Sequence, residues 1–223
     1  MSAQTIPQDG SLLSRLDLAL FQLEKLLALL AGVTILVVML ISVANILGRK
    51  IVNVPVPGFV DWMEQSVPLI AFFGIAYCQR LGGHIRMDIL IGRLHGRVLY
   101  AAEWVGVLAL LALSATLIWG SWLHFDRSFD FSSPWWSRDS TIDLSLPTWP
   151  VKLVVPVMLF LLALRLALQL WAYGRAFVEN AQTPVAVPLI ETPAQQAERE
   201  AGTVSGLADD DEEDRADSGG GRV

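Results

Sequence analysis

The residues that could do acid–base, metal or nucleophilic chemistry are few and scattered. The three histidines, His84, His95 and His124, all lie outside the long apolar runs, whereas a haem site in a helical bundle needs axial ligands that face its interior. The sequence holds no H-E-x-x-H, G-x-S-x-G or P-loop pattern. A single cysteine, Cys78, excludes an intrachain disulfide or a thiolate cluster, and we expect it to be a small buried apolar residue. These observations predict a non-enzymatic protein without a metal or cofactor.

Ionisable residues inside apolar runs would mark an ion or substrate pathway across a membrane. Only Arg165 interrupts such a run in its middle. Two explanations are open for it. Its long side chain can reach the membrane boundary from about two turns away, or it can contact another helix or subunit. A single ionisable residue in the apolar runs does not indicate an ion or substrate pathway.

The apolar residues make up 53% of the chain, against 17% charged, and they come in long blocks. About 20 residues of helix span a hydrocarbon core. The first run is too long for the apolar core of a signal peptide and no cleavage site follows it, so we expect a retained anchor. The pattern predicts an all-α integral membrane protein whose membrane domain, 26–176, has four transmembrane helices, at about 26–48, 62–81, 104–123 and 151–173.

Segments of different character flank and connect these spans. Residues 1–25 are polar and then amphipathic, and they predict either a helix lying on the membrane or a first span that begins early and protrudes. Residues 84–97 predict an interfacial helix with a basic edge. The aromatic loop 124–150 is expected to pack at the membrane interface. The tail 177–223 is expected to be disordered; from residue 180 onward its 10 acids and 3 arginines give −7, which leaves +1 of the total −6 for the rest.

The distribution of Lys and Arg predicts the orientation of the chain. Seven such residues flank the spans on one side and five on the other. Because cytoplasmic loops carry an excess of positive residues, the prediction is a multi-pass protein with both termini in the cytoplasm.

Several short motifs occur in a fixed order along the chain. Arg49 precedes a Pro/Gly stretch and the acid Glu64; F-F-G-I-A-Y at 72–77 leads to G-G-H-I-R-M-D-I-L at 82–90; and L-P-T-W-P at 146–150 continues to L-L-A-L-R at 161–165. In this order, over roughly residues 30–170, the chain resembles the small membrane subunit (DctQ-like) of tripartite ATP-independent periplasmic (TRAP) transporters. Met158 stands where the family often has a glycine, and the acidic tail lies outside the family pattern.

The resemblance implies a non-catalytic small permease subunit in the bacterial inner membrane. It would scaffold a large multi-span membrane subunit that carries the substrate and sodium sites of a symporter. A periplasmic solute-binding protein would deliver an organic-acid-like solute, and no nucleic acid would be involved. The residues expected to shape the subunit or contact the partner are Arg49, Glu64, Gly83, His84, Arg86, Asp88, Pro147, Pro150, Pro156 and Arg165.

Two of these expectations have simpler alternatives. The turn from Gly83 to Asp88 could be only a helix end that meets lipid headgroups, and Arg49 and Glu64 could pair with each other instead of with a partner. A second function from another class also fits the residues. It is a small four-helix anchor or assembly subunit of another membrane complex, such as a respiratory or secretion component.

Overall fold

The computed structural model describes residues 11–80 and 97–179, and nearly all regular structure in them is helical. These two ranges hold no β-strand, only isolated bridges between Phe129 and Ser137 and between Ser140 and Pro147. The predicted all-α class is confirmed. The predicted interfacial helix at 84–97 and the tail at 177–223 lie almost wholly outside the described residues. The helices are α1 (Leu12–Leu47), α2 (Phe59–Phe73), α3 (Ile75–Arg80), α4 (Arg97–Ser128) and α5 (Trp149–Glu179).

Helix α1 joins the amphipathic N-terminal segment and the first apolar run in one continuous element. The Ser11 hydroxyl oxygen caps it by accepting from the Ser14 backbone N–H at 3.4 Å, and no proline or glycine occurs between Leu12 and Gly32. Its 36 residues correspond to about 54 Å at 1.5 Å per residue, well beyond the roughly 30 Å of a hydrocarbon core. A continuous helix of this length favours the alternative of a first span that begins early and protrudes.

A compact turn follows α1 because two residues are suited to it. The π-helical turn Gly48–Val52 ends at Asn53, which has a positive φ of 57°. The Val54 carbonyl oxygen would lie 2.6 Å from a Cβ on Gly48, so only glycine allows this approach. Before the turn, the Asn45 amide oxygen accepts from the Val56 backbone N–H at 3.0 Å.

Helices α2 and α3 are nearly continuous, with Gly74 between them. Gly74 keeps a right-handed helical backbone, and its carbonyl accepts from the Cys78 backbone N–H at 2.9 Å. Cys78 is exposed, so the expectation of a buried cysteine was wrong. Small apolar residues also occupy exposed positions on a protein surface, so the apolar character of cysteine does not require burial.

Helix α5 is the centre of the assembly and contacts each of the other four helices. Helix α4 packs along α5, and α1 packs mainly on α2, with no extensive α1–α4 contact in the described ranges. Pro156 is the eighth residue of α5. It lies past the first turn, where a missing backbone N–H costs least, because the helix already begins at Trp149. The main apolar core, listed by residue, is Leu13, Tyr100, Val107, Leu159, Leu162, Leu166, Ala172, Tyr173 and Ala176.

Three of the described helices are long and apolar enough to cross a membrane: Leu12–Val52, Val98–Ser128 and Trp149–Val178. The second predicted span falls on α2 and α3, which have 15 and 6 residues.

Candidate functional site: a buried charge cluster and an outer loop

Four charged side chains from three helices meet inside the protein and form what we term the buried charge cluster. Asp17 and Glu24 come from α1, Arg80 ends α3 and Arg165 lies in α5. Their exposed fractions are 0% for both acids, 6% for Arg80 and 1% for Arg165. Two positive and two negative groups make the cluster electrically neutral.

The hydrogen bonds of the cluster are charge-assisted, and two of its pairings are bidentate. Arg165 donates from Nε and Nη2 to the two carboxylate oxygens of Glu24, each at 2.7 Å, and from Nη1 to Asp17. Arg80 donates from Nε and Nη2 to the Asp17 oxygens at 3.2 and 2.7 Å. Planar guanidinium groups match carboxylates in this way, so both acids are satisfied by the two arginines.

Neighbouring side chains extend the cluster across the same three helices. The Arg80 guanidinium carbon lies 3.9 Å from the centroid of the Phe21 ring, which is the distance of a cation–π contact. Gln79, beside Arg80, donates to the side-chain oxygen of Gln169 at 2.8 Å. The result is one polar seam that holds α1, α3 and α5 together.

For Arg165, the structure shows the helix–helix contact and not the snorkelling arrangement. Asp17 and Glu24 were missed, because the sequence pattern placed them on the polar face of an amphipathic helix. A signal was present: they are seven residues apart and continue to Ala31 and Asn45 at multiples of seven, the period that keeps one helix seam against a partner. All four of these residues are buried.

At the opposite end of the helices, the connections 48–58 and 129–148 form what we term the loop end. Asp61, 2% exposed, accepts from the backbone N–H groups of Asp143 at 3.2 Å and Leu144 at 2.7 Å. Asp61 lies in the first turn of α2, where its negative charge complements the helix dipole. The structure gives it a second role, because it also binds the loop to the start of that helix.

A second polar contact closes the loop end between α4 and α5. The Lys152 ammonium nitrogen lies 2.8 Å from the Asp139 carboxylate and also contacts the Ser128 hydroxyl. The Ser128 hydroxyl in turn donates to the Asp139 carboxylate. The hydrogen bonds that Asp139 accepts, from Lys152 first and then from Ser128, hold its pKa below the usual value. Hydrogen bonds from Ser132 and Arg138 lower the pKa of Asp130 in the same loop.

Aromatic rings link the loop to the membrane helices. Neighbouring rings in the series Trp122, Phe125, Phe129 and Phe131 have centroid distances of 5.5, 5.4 and 4.8 Å. The ring of Trp149 in α5 lies 5.4 Å from that of Phe129. Such ring pairs add to the apolar packing. They tie the end of α4 to the start of α5.

The other predicted site residues lie at the loop end or outside the described ranges. Arg49 and Glu64 are both exposed, and no ion pair among the described residues joins them. The Pro147 carbonyl accepts from the Gln65 side chain at 3.2 Å, and Pro150 is the second residue of α5. The remaining four, Gly83, His84, Arg86 and Asp88, lie outside the described residues.

The arrangement can position helices and offers little for bond-making chemistry. Within residues 11–80 and 97–179, no group of three or more His, Cys, Asp or Glu side chains could hold a metal ion. The acids and arginines of the buried charge cluster are already bound to one another.

Comparison with known proteins places the chain in a family. No curated protein sequence matches it. The family model described as the DctQ component of tripartite ATP-independent periplasmic transporters matches residues 38–174, more than half of the 223 residues. Arg80 and Arg165 lie inside the matched range, whereas Asp17 and Glu24 precede it. The chain therefore belongs to the DctQ family and is a component of a TRAP transporter.

Proposed function

We propose that the protein is the small permease subunit of a TRAP-type secondary transporter and acts as a rigid scaffold for the large membrane subunit. The observation that carries this proposal is the buried charge cluster. Removing one member of a buried charge pair is costly because the other charge is left unpaired, so α1, α3 and α5 are held in one fixed arrangement. A fixed arrangement suits a scaffold.

The surface of the helices supports the same proposal. Along most of its length α1 exposes large apolar side chains, for example Leu29, Met39 and Ile46 at 64%, 52% and 62%. Helix α4 does the same with Val105 and Leu117 at 60% and 49%. Surfaces of this kind face lipid or a neighbouring membrane helix, and they leave both outer helices of the assembly open to a larger partner.

We further propose that α2 and α3 together make the fourth membrane crossing. From Phe59 to Arg80 the chain has 22 residues, about 33 Å if helical throughout, and Gly74 interrupts this path only slightly. Four crossings put both termini on the same side of the bacterial inner membrane, and the Lys and Arg distribution favours the cytoplasmic side.

The transport chemistry belongs, in this proposal, to the other components. The large subunit carries the substrate and sodium sites of a symporter, and a periplasmic binding protein delivers an organic-acid-like solute. The present chain contributes no ligand to either site, since the buried charges of its described part are already paired.

Affinity purification in mild detergent tests the proposal. The tagged chain should recover a large multi-span membrane protein in a fixed ratio, and the reconstituted pair should take up an organic acid only with sodium and the cognate binding protein. Recovery of an unrelated complex would support the anchor function instead, and recovery of the chain alone would contradict the scaffold role.

A further inference from the structure

A cavity beside Glu64 is the strongest unexplained feature of the loop end. It has a volume of about 340 Å³ and lies between the first half of α2, the loop and the start of α5, with a lining that includes Glu64, Gln65, Asp139, Thr148 and Lys152. We propose that this cavity, which we term the Glu64 cavity, receives a cationic Lys or Arg side chain of the large membrane subunit. The inference rests on the proposed function and specifies where the partner binds.

Among the charged groups that line the cavity, one carboxylate, that of Glu64, has no partner in the described ranges. Lys152 is bound to Asp139 and Ser128, so its charge is satisfied within the chain. The Glu64 side chain is exposed, and its carboxylate makes no hydrogen bond or ion pair with any other residue of the described ranges. Two carboxylates and one ammonium give the lining a net charge of −1, which favours a cation.

The other polar groups of the lining are fixed in place. The Gln65 side-chain nitrogen donates to the Pro147 carbonyl, which leaves its amide oxygen as an acceptor. The lining thus includes the Gln65 amide oxygen as an acceptor besides the Glu64 carboxylate. Several acceptors in one place suit the multiple donors of an ammonium or a guanidinium group.

The position of the cavity along the helices favours a partner within the membrane. Glu64 is the sixth residue of α2 and Pro68, which also lines the cavity, is the tenth. Val151 and Lys152 belong to the first turn of α5. The cavity therefore lies beside the first turns of two helices and not beyond their ends. A partner protein that lies beside these helices in the membrane can reach it. An unpaired carboxylate near the hydrocarbon boundary is unfavourable, and a cation from that neighbour removes the cost.

Copurification of the intact complex tests the Glu64 cavity. We expect E64Q to weaken retention of the large subunit roughly 10-fold and E64K roughly 100-fold, because a like charge then faces the partner cation. The matched control is D126K, which reverses an exposed acid of α4 outside the cavity and should change retention less than about twofold. A basic residue of the large subunit changed to Glu should restore binding to E64K.

The outcomes separate this proposal from the proposed function. If the unmodified chain recovers no large subunit, both are wrong. If it does recover one and E64K retains it equally well, or loses it only as much as D126K does, the cavity proposal alone is wrong. Selective loss of an amine-headgroup lipid from E64K in native mass spectrometry, with the partner retained, would show that lipid is the occupant and would also overturn the proposal. Unfolding of isolated E64K and E64Q in detergent, unchanged from the parent, confirms that folding is intact.

Discussion

At the scale of single residues, the buried charge cluster is balanced, because all its formal charges cancel within four side chains. Ionised groups lose several kcal/mol of solvation on burial, and only good geometry compensates this loss. The bidentate contacts of Arg165 with Glu24 and of Arg80 with Asp17 provide that geometry. The cluster is therefore sensitive to loss of one member and more tolerant of balanced losses.

We expect R165A to destabilise the protein by about 3–5 kcal/mol, because Glu24 then loses the arginine that binds it and is left as an unpaired buried charge. The measurement is reversible unfolding of the purified chain in mixed micelles. The control is R127A, which removes an exposed arginine from the end of α4 and should cost less than about 0.5 kcal/mol. Equal effects of the two substitutions would show that the cluster has no special energetic role.

A double-mutant cycle on Asp17 and Arg80 tests the charge balance directly. D17N leaves two arginines with one acid, whereas D17N/R80Q keeps the neutral pair of Glu24 and Arg165. We expect the double variant to be more stable than the sum of the single effects by about 1–3 kcal/mol, the range for directly coupled residues. The same unfolding assay measures it, and strict additivity would contradict the coupling.

At the scale of elements, the loop after α4 is docked on the start of α2 through backbone contacts that leave little space. Gly58 has a positive φ of 64°, and a Cβ there would lie 2.2 Å from Leu144 Cδ1. Asp61, one turn later, binds the same loop segment. The loop is thus held by a glycine conformation and a buried carboxylate together.

We expect G58A to loosen this docking, since the left-handed backbone costs a non-glycine residue on the order of 1–2 kcal/mol and the new methyl group displaces Leu144. G58A/L144A should recover only the steric part. Hydrogen exchange of residues 141–147 measures the docking. G120A, in open space on α4, should leave this exchange unchanged, and unchanged exchange in G58A would contradict the prediction.

The loop should also respond to acid. Because the folded loop lowers the pKa of Asp139 and Asp130, their contribution is present above the usual carboxyl pKa of about 4 and is lost as pH falls through the lower folded values. The protection factors of residues 129–149, which are exchange rates corrected for the intrinsic pH dependence of amide exchange, should therefore be constant from pH 7 to about 4 and fall below it. D139N should already show faster exchange at neutral pH, and a transition near pH 6 would contradict these assignments.

At the scale of the whole molecule, the described helices form an open assembly around α5 and not a closed bundle. Among them, α4 packs extensively only along α5, and α1 packs mainly against α2. An open assembly buries less surface within one subunit than a closed bundle does. It therefore leaves more apolar surface for lipid and for a partner.

Topology mapping tests the proposed four crossings. In a C78S background, I142C at a fully open site of the loop (94% exposed) should react with a membrane-impermeant maleimide from the periplasmic side. A reporter fused after Val223 should be active only in the cytoplasm. Three crossings instead of four would place the two termini on opposite sides of the membrane, and an N-terminal reporter distinguishes this outcome.

The sequence by itself determined the helical class, the three long membrane helices and the family. These properties depend on local information: apolar runs long enough to span a bilayer, proline and glycine between them, and short motifs in order. The continuity of α1 was left open, because the amphipathic period of residues 12–27 is compatible with a helix on a surface and with one that packs on a partner.

Only the tertiary structure decided what the charges do. Asp17 lies 148 residues from Arg165 along the chain, and a helical pattern shows which face a residue occupies but not which helix it meets. The same holds at the loop end, where Asp61 finds backbone donors 82 and 83 residues away. Pairing between distant segments depends on how whole helices pack, and that packing is a property of the complete fold.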